Sequence, residues 1–322
     1  MTELSWTPEP FVTPVAGMPP SVRVYEVGPR DGLQSETDVI PTAVKAELCR
    51  RLYAAGVRDL ELTSFVPAAW IPQLSDAAEL VAAVEVPAGA RGVALVPNLR
   101  GLERARSVGI TEVAVVVSAT ESFARANLNA GRDEAIARAV EVTQQAGMPV
   151  RGYVSMAFGD PWEGAVDVGA VADAAAALSD AGCHTIALGD TIGVGTPGQV
   201  EHILDRVTAA GVARDSIALH LHDTYGQSLA NVYAALRNGI TEFDASVGGL
   251  GRCPYARGAT GNLATEDLVW MLHGLGISTG LDLTALARTT AWLAALRGRP
   301  APSRVAAALA AASDTLEKAP VT

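Results

Sequence analysis

Two histidines one residue apart, His220 and His222, lie in the run SIALHLHDTYGQ, and an arginine–aspartate pair, Arg30-Asp31, ends the run VRVYEVGPRDG near the amino terminus. On an extended strand, alternate side chains share a face, so both imidazoles point the same way. A strand buried on both faces does not spend two inward positions on histidine without polar partners. One reading is a hydrogen-bonded pair of core histidines. The other, favoured by carboxylates at the ends of other strands, is a metal site. Nitrogens from His220 and His222 with oxygens from Asp31 and Asn262 would make a mixed set with room for substrate and water. That set suits Mg²⁺ or Mn²⁺ better than a closed tetrahedral zinc site.

Three further positions carry candidate chemistry. Glu61 lies on a strand and reads equally as a satisfied buried carboxylate. Asp190 ends another strand in GDTIG and reads equally as a cap for the turn that follows. The glycine-rich segment Gly248–Asn262 contains Cys253. Its glycines permit hinging and close backbone approach to a ligand. Cys253 is then either a mobile proton donor or inert packing.

Positioning such groups takes a repeating scaffold. A glycine followed by an apolar residue recurs after helical runs, at Gly56, Gly109, Gly147, Gly182, Gly211 and Gly239. Each reads as a left-handed helix cap before a buried strand. Eight short apolar strands are predicted: 22–27, 57–63, 92–97, 112–118, 149–157, 184–189, 216–222 and 242–247. Helices are predicted between them, one on Val44, Leu48 and Leu52 with Thr42 at its N-cap. The pattern predicts an α/β fold, a (β/α)8 TIM barrel with additional C-terminal helices in residues 265–322. An open doubly wound sheet is the runner-up, but no strand is followed by a GxGxxG or P-loop signature. The expected organisation is an extended arm over 1–21, with five prolines in the first twenty residues and no lysine or arginine, then one barrel domain over 22–322.

The chain has 322 residues, 49% hydrophobic, and a formal charge of −11. That balance argues against nucleic acid or an anionic membrane as partner, since both need a basic surface. The three cysteines, Cys49, Cys183 and Cys253, are widely spaced and form neither a disulfide framework nor a metal motif, which fits a reducing compartment. The start lacks signal-peptide order and no apolar run is long enough for a membrane span, so a cytoplasmic location is expected.

The runs EVGPRDGLQ (26–34), ELTSFVP (61–67), LGDTIGVGTPG (188–198), HDTYGQSLANVYAAL (222–236) and CPYARGATGNLATEDLVWML (253–272) resemble 3-hydroxy-3-methylglutaryl-CoA lyases, metal-dependent enzymes on a TIM barrel. The resemblance is collinear from about Val22 to Leu283. It implies a carbon–carbon lyase that cleaves 3-hydroxy-3-methylglutaryl-CoA to acetyl-CoA and acetoacetate, as in leucine degradation. It implies Asp31, His220, His222 and Asn262 as ligands of a divalent cation, Arg30 and Gln34 at the substrate, and Cys253 as catalytic cysteine. It further implies Glu61 and Asp190 as supporting polar residues. Cleavage next to a hydroxyl-bearing carbon also needs a base for the hydroxyl proton, and His220 or Asp31 is the candidate. A homodimer is expected on the same ground. Three positions depart from the family pattern: Thr37 stands for a lysine, Asp160 for a cysteine and Arg252 for a glycine. The alternatives are a lyase for another 3-hydroxyacyl-CoA, such as citramalyl-CoA or a longer-branched glutaryl-CoA, and an acyl-CoA condensing synthase on the same barrel.

Overall fold

The computed structural model describes residues 8–251 and 261–317. Its centre is a closed barrel of eight parallel strands in sequence order: β1 (Arg23–Glu26), β2 (Asp59–Ser64), β3 (Arg91–Leu95), β4 (Glu112–Ser118), β5 (Val150–Ser155), β6 (Thr185–Asp190), β7 (Ile217–Leu221) and β8 (Glu242–Ala245). Pairing of β1 with both β2 and β8 closes the ring, which excludes the open-sheet alternative. The strands lie within a few residues of the ranges predicted from sequence.

Around them run α1 (Thr42–Ala54), α2 (Ala77–Ala83), α3 (Leu99–Ser107), the short α4 (Glu121–Phe123), α5 (Arg132–Gln145), α6 (Val168–Ala181), α7 (Pro197–Ala209) and α8 (Ser228–Arg237). Then come α9 (Thr265–Gly274), α10 (Leu283–Arg297) and α11 (Arg304–Glu317). Of these, α10 packs on α1, where Arg51 stacks over Trp292 at 4.5 Å from the ring centre. The N-cap of α1 is Pro41 rather than Thr42. The Thr42 hydroxyl instead donates to Asp76 at 2.7 Å, so it ties two helices together.

Strand parity sorts the side chains into two cores, because successive residues face opposite sides of the sheet. Tyr25, Leu95, Ala114, Tyr153, Ala187 and Ala218 belong to the inner cluster. Leu60, Val113, Val115, Leu188 and Leu219 pack outward in the cluster that also holds helix residues such as Leu48, Val171 and Val200. Polar inward residues are layered. At the amino-terminal mouth Arg91 bridges Asp59 at 2.5 Å and Glu112 at 2.8 Å, while Arg23 meets Glu242 at 3.1 Å. One layer higher, buried Arg151 pairs with Glu242 and Asp244 and stacks over Tyr25 at 4.1 Å.

Among the described residues no helix is long and apolar enough to cross a membrane.

Candidate active site

Immediately after β1 the chain widens into a π-helical turn, Gly28–Gly32, in which the amides of Asp31 and Gly32 both donate to the Val27 carbonyl at 2.8 and 3.1 Å. This wide turn presents Arg30 and Asp31 side by side at the carboxyl-terminal mouth, the end where barrel enzymes carry their sites. It packs tightly against the segment after β8. A Cβ on Gly32 would lie 2.7 Å from Ser246 Oγ and 2.8 Å from Leu250 Cβ, so only glycine fits there.

Asp31, His220 and His222 converge, with one ligand atom from each lying within 4.8 Å of the others. The two histidines come from β7 and the position just after it, as the strand alternation required. Their Nε2 atoms face each other at 3.3 Å, and His220 Nε2 is 4.0 Å from Asp31 Oδ2. The other nitrogen of His220, Nδ1, lies 3.0 Å from Asp244 Oδ2. A carboxylate on Nδ1 selects the tautomer whose Nε2 lone pair faces the triad, the arrangement found behind metal-ligating histidines. Two imidazoles and a carboxylate with such support can hold a divalent cation, and the donor set fits one.

Asn262 is brought to the same point by a backbone bridge with His222. Its Nδ2 donates to Asp31 Oδ2 at 2.8 Å and to the Leu250 carbonyl at 2.9 Å. The amide nitrogen, rather than the oxygen, therefore faces Asp31. Gln34 Nε2 donates to Asp31 Oδ1 at 2.9 Å.

Arg30 is 6% exposed. Its Nη1 donates to Asp31 Oδ1 at 2.5 Å and its Nε to Glu61 Oε1 at 2.6 Å. Glu61 is held in turn by the Tyr153 hydroxyl at 2.6 Å. Burial pushes the Asp31 carboxyl up, but Arg30 and then the two histidines outweigh it and bring it down to about 2. Asp31 is thus an anion over the whole neutral range.

Asp190 is buried, and its carboxylate accepts from the amides of Val194 at 3.0 Å and Gly195 at 2.8 Å. This engages it with the turn after β6, and Thr196, not Asp190, caps α7. Burial raises its carboxyl to about 6 against the pull of those amides. Cys253 and Arg252 lie outside the described residues. Asp160, a departure from the family pattern, is buried and organises its own loop. It accepts from Thr120 Oγ1 at 2.6 Å and from the amides of Trp162 and Glu163 at 2.7 and 2.9 Å.

Asp244, Arg151 and Tyr153 were missed in the sequence. The signal existed: EFD on β8 and VRGY on β5 place polar side chains at every second position, the same parity that exposed His220 and His222. Arg30, Asp31, Gln34, Tyr153, His220 and His222 line one cavity of about 810 Å³ that continues towards β3, β4 and α5.

A family model described as HMGL-like matches residues 21–293. The chain is 48% identical over 296 residues to the mitochondrial hydroxymethylglutaryl-CoA lyase of Arabidopsis thaliana, covering 91% of this chain but only 63% of that relative's length. It is 46% identical to a 3-hydroxy-3-isohexenylglutaryl-CoA/hydroxy-methylglutaryl-CoA lyase of Pseudomonas aeruginosa, covering 91% of this chain and 99% of the relative. A crystal structure of hydroxymethylglutaryl-CoA lyase from Pseudomonas aeruginosa superposes with a TM-score of 0.89 at 45% identity, over 92% of this chain and 99% of that one. The family model spans all eight strands, the GPRDG turn and both histidines, and the chain belongs to the HMGL-like family.

Proposed function

We propose that this chain is a carbon–carbon lyase that cleaves 3-hydroxy-3-methylglutaryl-CoA, or a close 3-substituted relative, into acetyl-CoA and the corresponding 3-oxo acid. The observation that carries this reading is the convergence of Asp31, His220 and His222 within 4.8 Å, with the buried Arg30 guanidinium beside them over one cavity. Names of the relatives supply the substrate class.

Asp31, His220 and His222 would hold a divalent cation, Mg²⁺ or Mn²⁺, joined by Asn262 once its side-chain amide turns to present Oδ1 in place of Nδ2. When bound, such a cation makes a coordinated hydroxyl more acidic and screens a substrate carboxylate. The remaining work falls to the chain's own groups. Breaking the C2–C3 bond requires loss of the C3 hydroxyl proton, and Asp31 or His220 is the acceptor within the site. The electron pair left on C2 delocalises onto the thioester oxygen as an enolate. Arg30, locked between Asp31 and Glu61, places a guanidinium there without having to reorganise. A fixed donor of this kind is worth about 3–4 kcal/mol of barrier. Glu61 and Tyr153 set the position of Arg30, and Gln34 borders the substrate. Asp190 supports the site by shaping the turn after β6. Cys253 delivers the proton that turns the enolate into acetyl-CoA.

A homodimer, a cytoplasmic location and a place in leucine degradation belong to the same reading, with neither nucleic acid nor membrane as partner. The test is purified protein with Mg²⁺ or Mn²⁺ and a panel of 3-hydroxyacyl-CoAs, with acetyl-CoA release as the readout. Release of free CoA from acetyl-CoA plus an oxo acid, without cleavage of any panel member, would identify a condensing synthase instead.

A further inference from the structure

Below the site, the barrel interior carries charge as well as hydrocarbon. Contacts of alternating sign climb from the amino-terminal mouth towards His220. Glu112 meets Arg91 at 2.8 Å, and Arg91 meets Asp59 at 2.5 Å. Arg23 lies 3.6 Å from Asp59 and 3.1 Å from Glu242. Arg151 then joins Glu242 to Asp244, and Asp244 ends the series 3.0 Å from His220 Nδ1. Arg151 is thus the cation through which the series reaches the site. On β5, residues 151 and 153 share the inward face, while Gly152 between them faces outward towards Leu178 of α6.

Arg151 is 1% exposed, and its Nε has no hydrogen-bond partner among the described residues. Burying an ionised group with an unpaired donor costs stability. Replacing a buried ion-pair network by well-packed apolar side chains is often neutral or stabilising. Stability alone is therefore a poor reason for an arginine at this point. Position is a better one, because the guanidinium touches supports of both halves of the site. Through Asp244 it reaches His220. Its Cζ also lies 5.4 Å from the centre of the Tyr153 ring. The same ring has Arg30 Cζ at 5.7 Å and the His220 ring at 5.8 Å in an edge-on arrangement. The Tyr153 hydroxyl holds Glu61, which in turn holds Arg30 Nε.

We propose that Arg151 is a positioning residue for both halves of the site: it orients the Asp244 carboxylate on His220, and it supports the Tyr153 ring against which Arg30 is set. Two nitrogens of one rigid plane hold Glu242 and one oxygen of Asp244, which leaves the other Asp244 oxygen aimed at His220 Nδ1. That contact keeps the Nε2 lone pair of His220 turned to the triad. The face of the guanidinium lies over Tyr25 at 4.1 Å and near Tyr153 at 5.4 Å. A lysine would keep the charge but would offer neither the planar fork nor the stacking surface. Arg151 acts through these neighbours and is placed in no contact with the substrate. The His220 half of the inference stands on the geometry, and the Arg30 half rests on the lyase reading above.

The test uses the full chain with Arg151→Lys and Arg151→Met, each checked for folding by thermal melts. Mn²⁺ affinity is read by electron paramagnetic resonance, and kcat by acetyl-CoA release from 3-hydroxy-3-methylglutaryl-CoA at saturating Mn²⁺. Both variants are expected to bind Mn²⁺ at least about tenfold more weakly, the effect of disturbing the support behind a ligating histidine. At saturating Mn²⁺, kcat is expected to fall about 10–100-fold as well, because a catalytic group misplaced by about an ångström costs up to that much. Added to Asp244→Asn, Arg151→Lys should weaken Mn²⁺ binding by less than about twofold more, since both act through one carboxylate. Folded variants that melt earlier yet keep both readouts within about twofold of the parent would overturn the inference, as would losses that multiply in the double variant. Full kcat at saturating Mn²⁺ would overturn it too, by confining Arg151 to the metal side. Failure of both variants to fold would assign Arg151 to the scaffold and overturn it likewise. A parent that binds Mn²⁺ but cleaves no 3-hydroxyacyl-CoA would overturn the lyase reading, and the Mn²⁺ titrations would still decide for or against Arg151.

Discussion

The most demanding consequence of the geometry concerns Asp244→Asn. Asp244 is 2% exposed and serves two donors at once, His220 Nδ1 at 3.0 Å on one oxygen and Arg151 Nη2 at 2.5 Å on the other. An asparagine has one acceptor oxygen for those two donors. If the oxygen faces Arg151, the amide hydrogens meet His220 Nδ1 and favour the tautomer whose Nε2 carries a proton into the triad. If it faces His220, a buried amide opposes a guanidinium. Loss of a carboxylate behind a ligating histidine typically lowers metal affinity about 10- to 100-fold, or about 1.4–2.7 kcal/mol. Stability should fall as well. Removing one partner of a buried ion pair costs about 3–5 kcal/mol. Here Arg151 keeps Glu242 and its stacking on Tyr25, so the expected loss lies below that range. Mn²⁺ titration followed by electron paramagnetic resonance, with a thermal melt on the same sample, separates the two effects. A folded variant that binds Mn²⁺ within about twofold of the parent would refute the claim that Asp244 orients His220.

Arg30→Gln should fold and retain Mn²⁺ while kcat falls about 10²–10³-fold, the loss expected for one transition-state donor; near-normal turnover would remove Arg30 from the mechanism. Cys253→Ala should lose most turnover with substrate binding preserved, and full activity would return this cysteine to an inert role. Burial raises the Glu26 carboxyl to about 8, against donors from Thr265, Val247 and Gly28. Its folded pKa lies above the ordinary value of 4.5, so the fold binds the proton more tightly than the unfolded chain does. This group's contribution to stability is therefore full below about pH 4.5 and is lost as pH rises towards 8, at up to about 1.4 kcal/mol per unit. Glu26→Gln can satisfy both amides through its oxygen and offer its NH₂ to the Thr265 hydroxyl. Denaturant unfolding between pH 5 and 8 should show a shallower decline than the parent, and an identical slope would count against this account.

Much of the scaffold was readable because its signals are local. The glycine caps, the short apolar strands and the helical spacings each report on a few neighbouring residues, and eight of these units leave little choice but closure. The twin histidines were legible for the same reason, since strand parity alone puts them on one face. Asp190 was not decidable in this way, because a carboxylate at a strand end serves a turn and a site equally well until its donors are known. The donors are the amides of Val194 and Gly195. Thr42 was misplaced by one position, as happens where a proline can occupy the cap and the hydroxyl finds a partner on another helix.

Residue types and their spacing determined the strand count, the end of the barrel that bears the chemistry, and the identity of Arg30, Asp31, His220 and His222 as the groups to watch. Closure of the barrel decided who meets whom. The Tyr153–Glu61 and Asn262–Asp31 contacts join residues 92 and 231 positions apart, and Asp244 reaches His220 only because β7 and β8 are neighbours. The cavity over the triad likewise belongs to the packed molecule alone. A cavity is defined by the distances between elements, and local spacing along a chain carries no record of where side chains fail to meet.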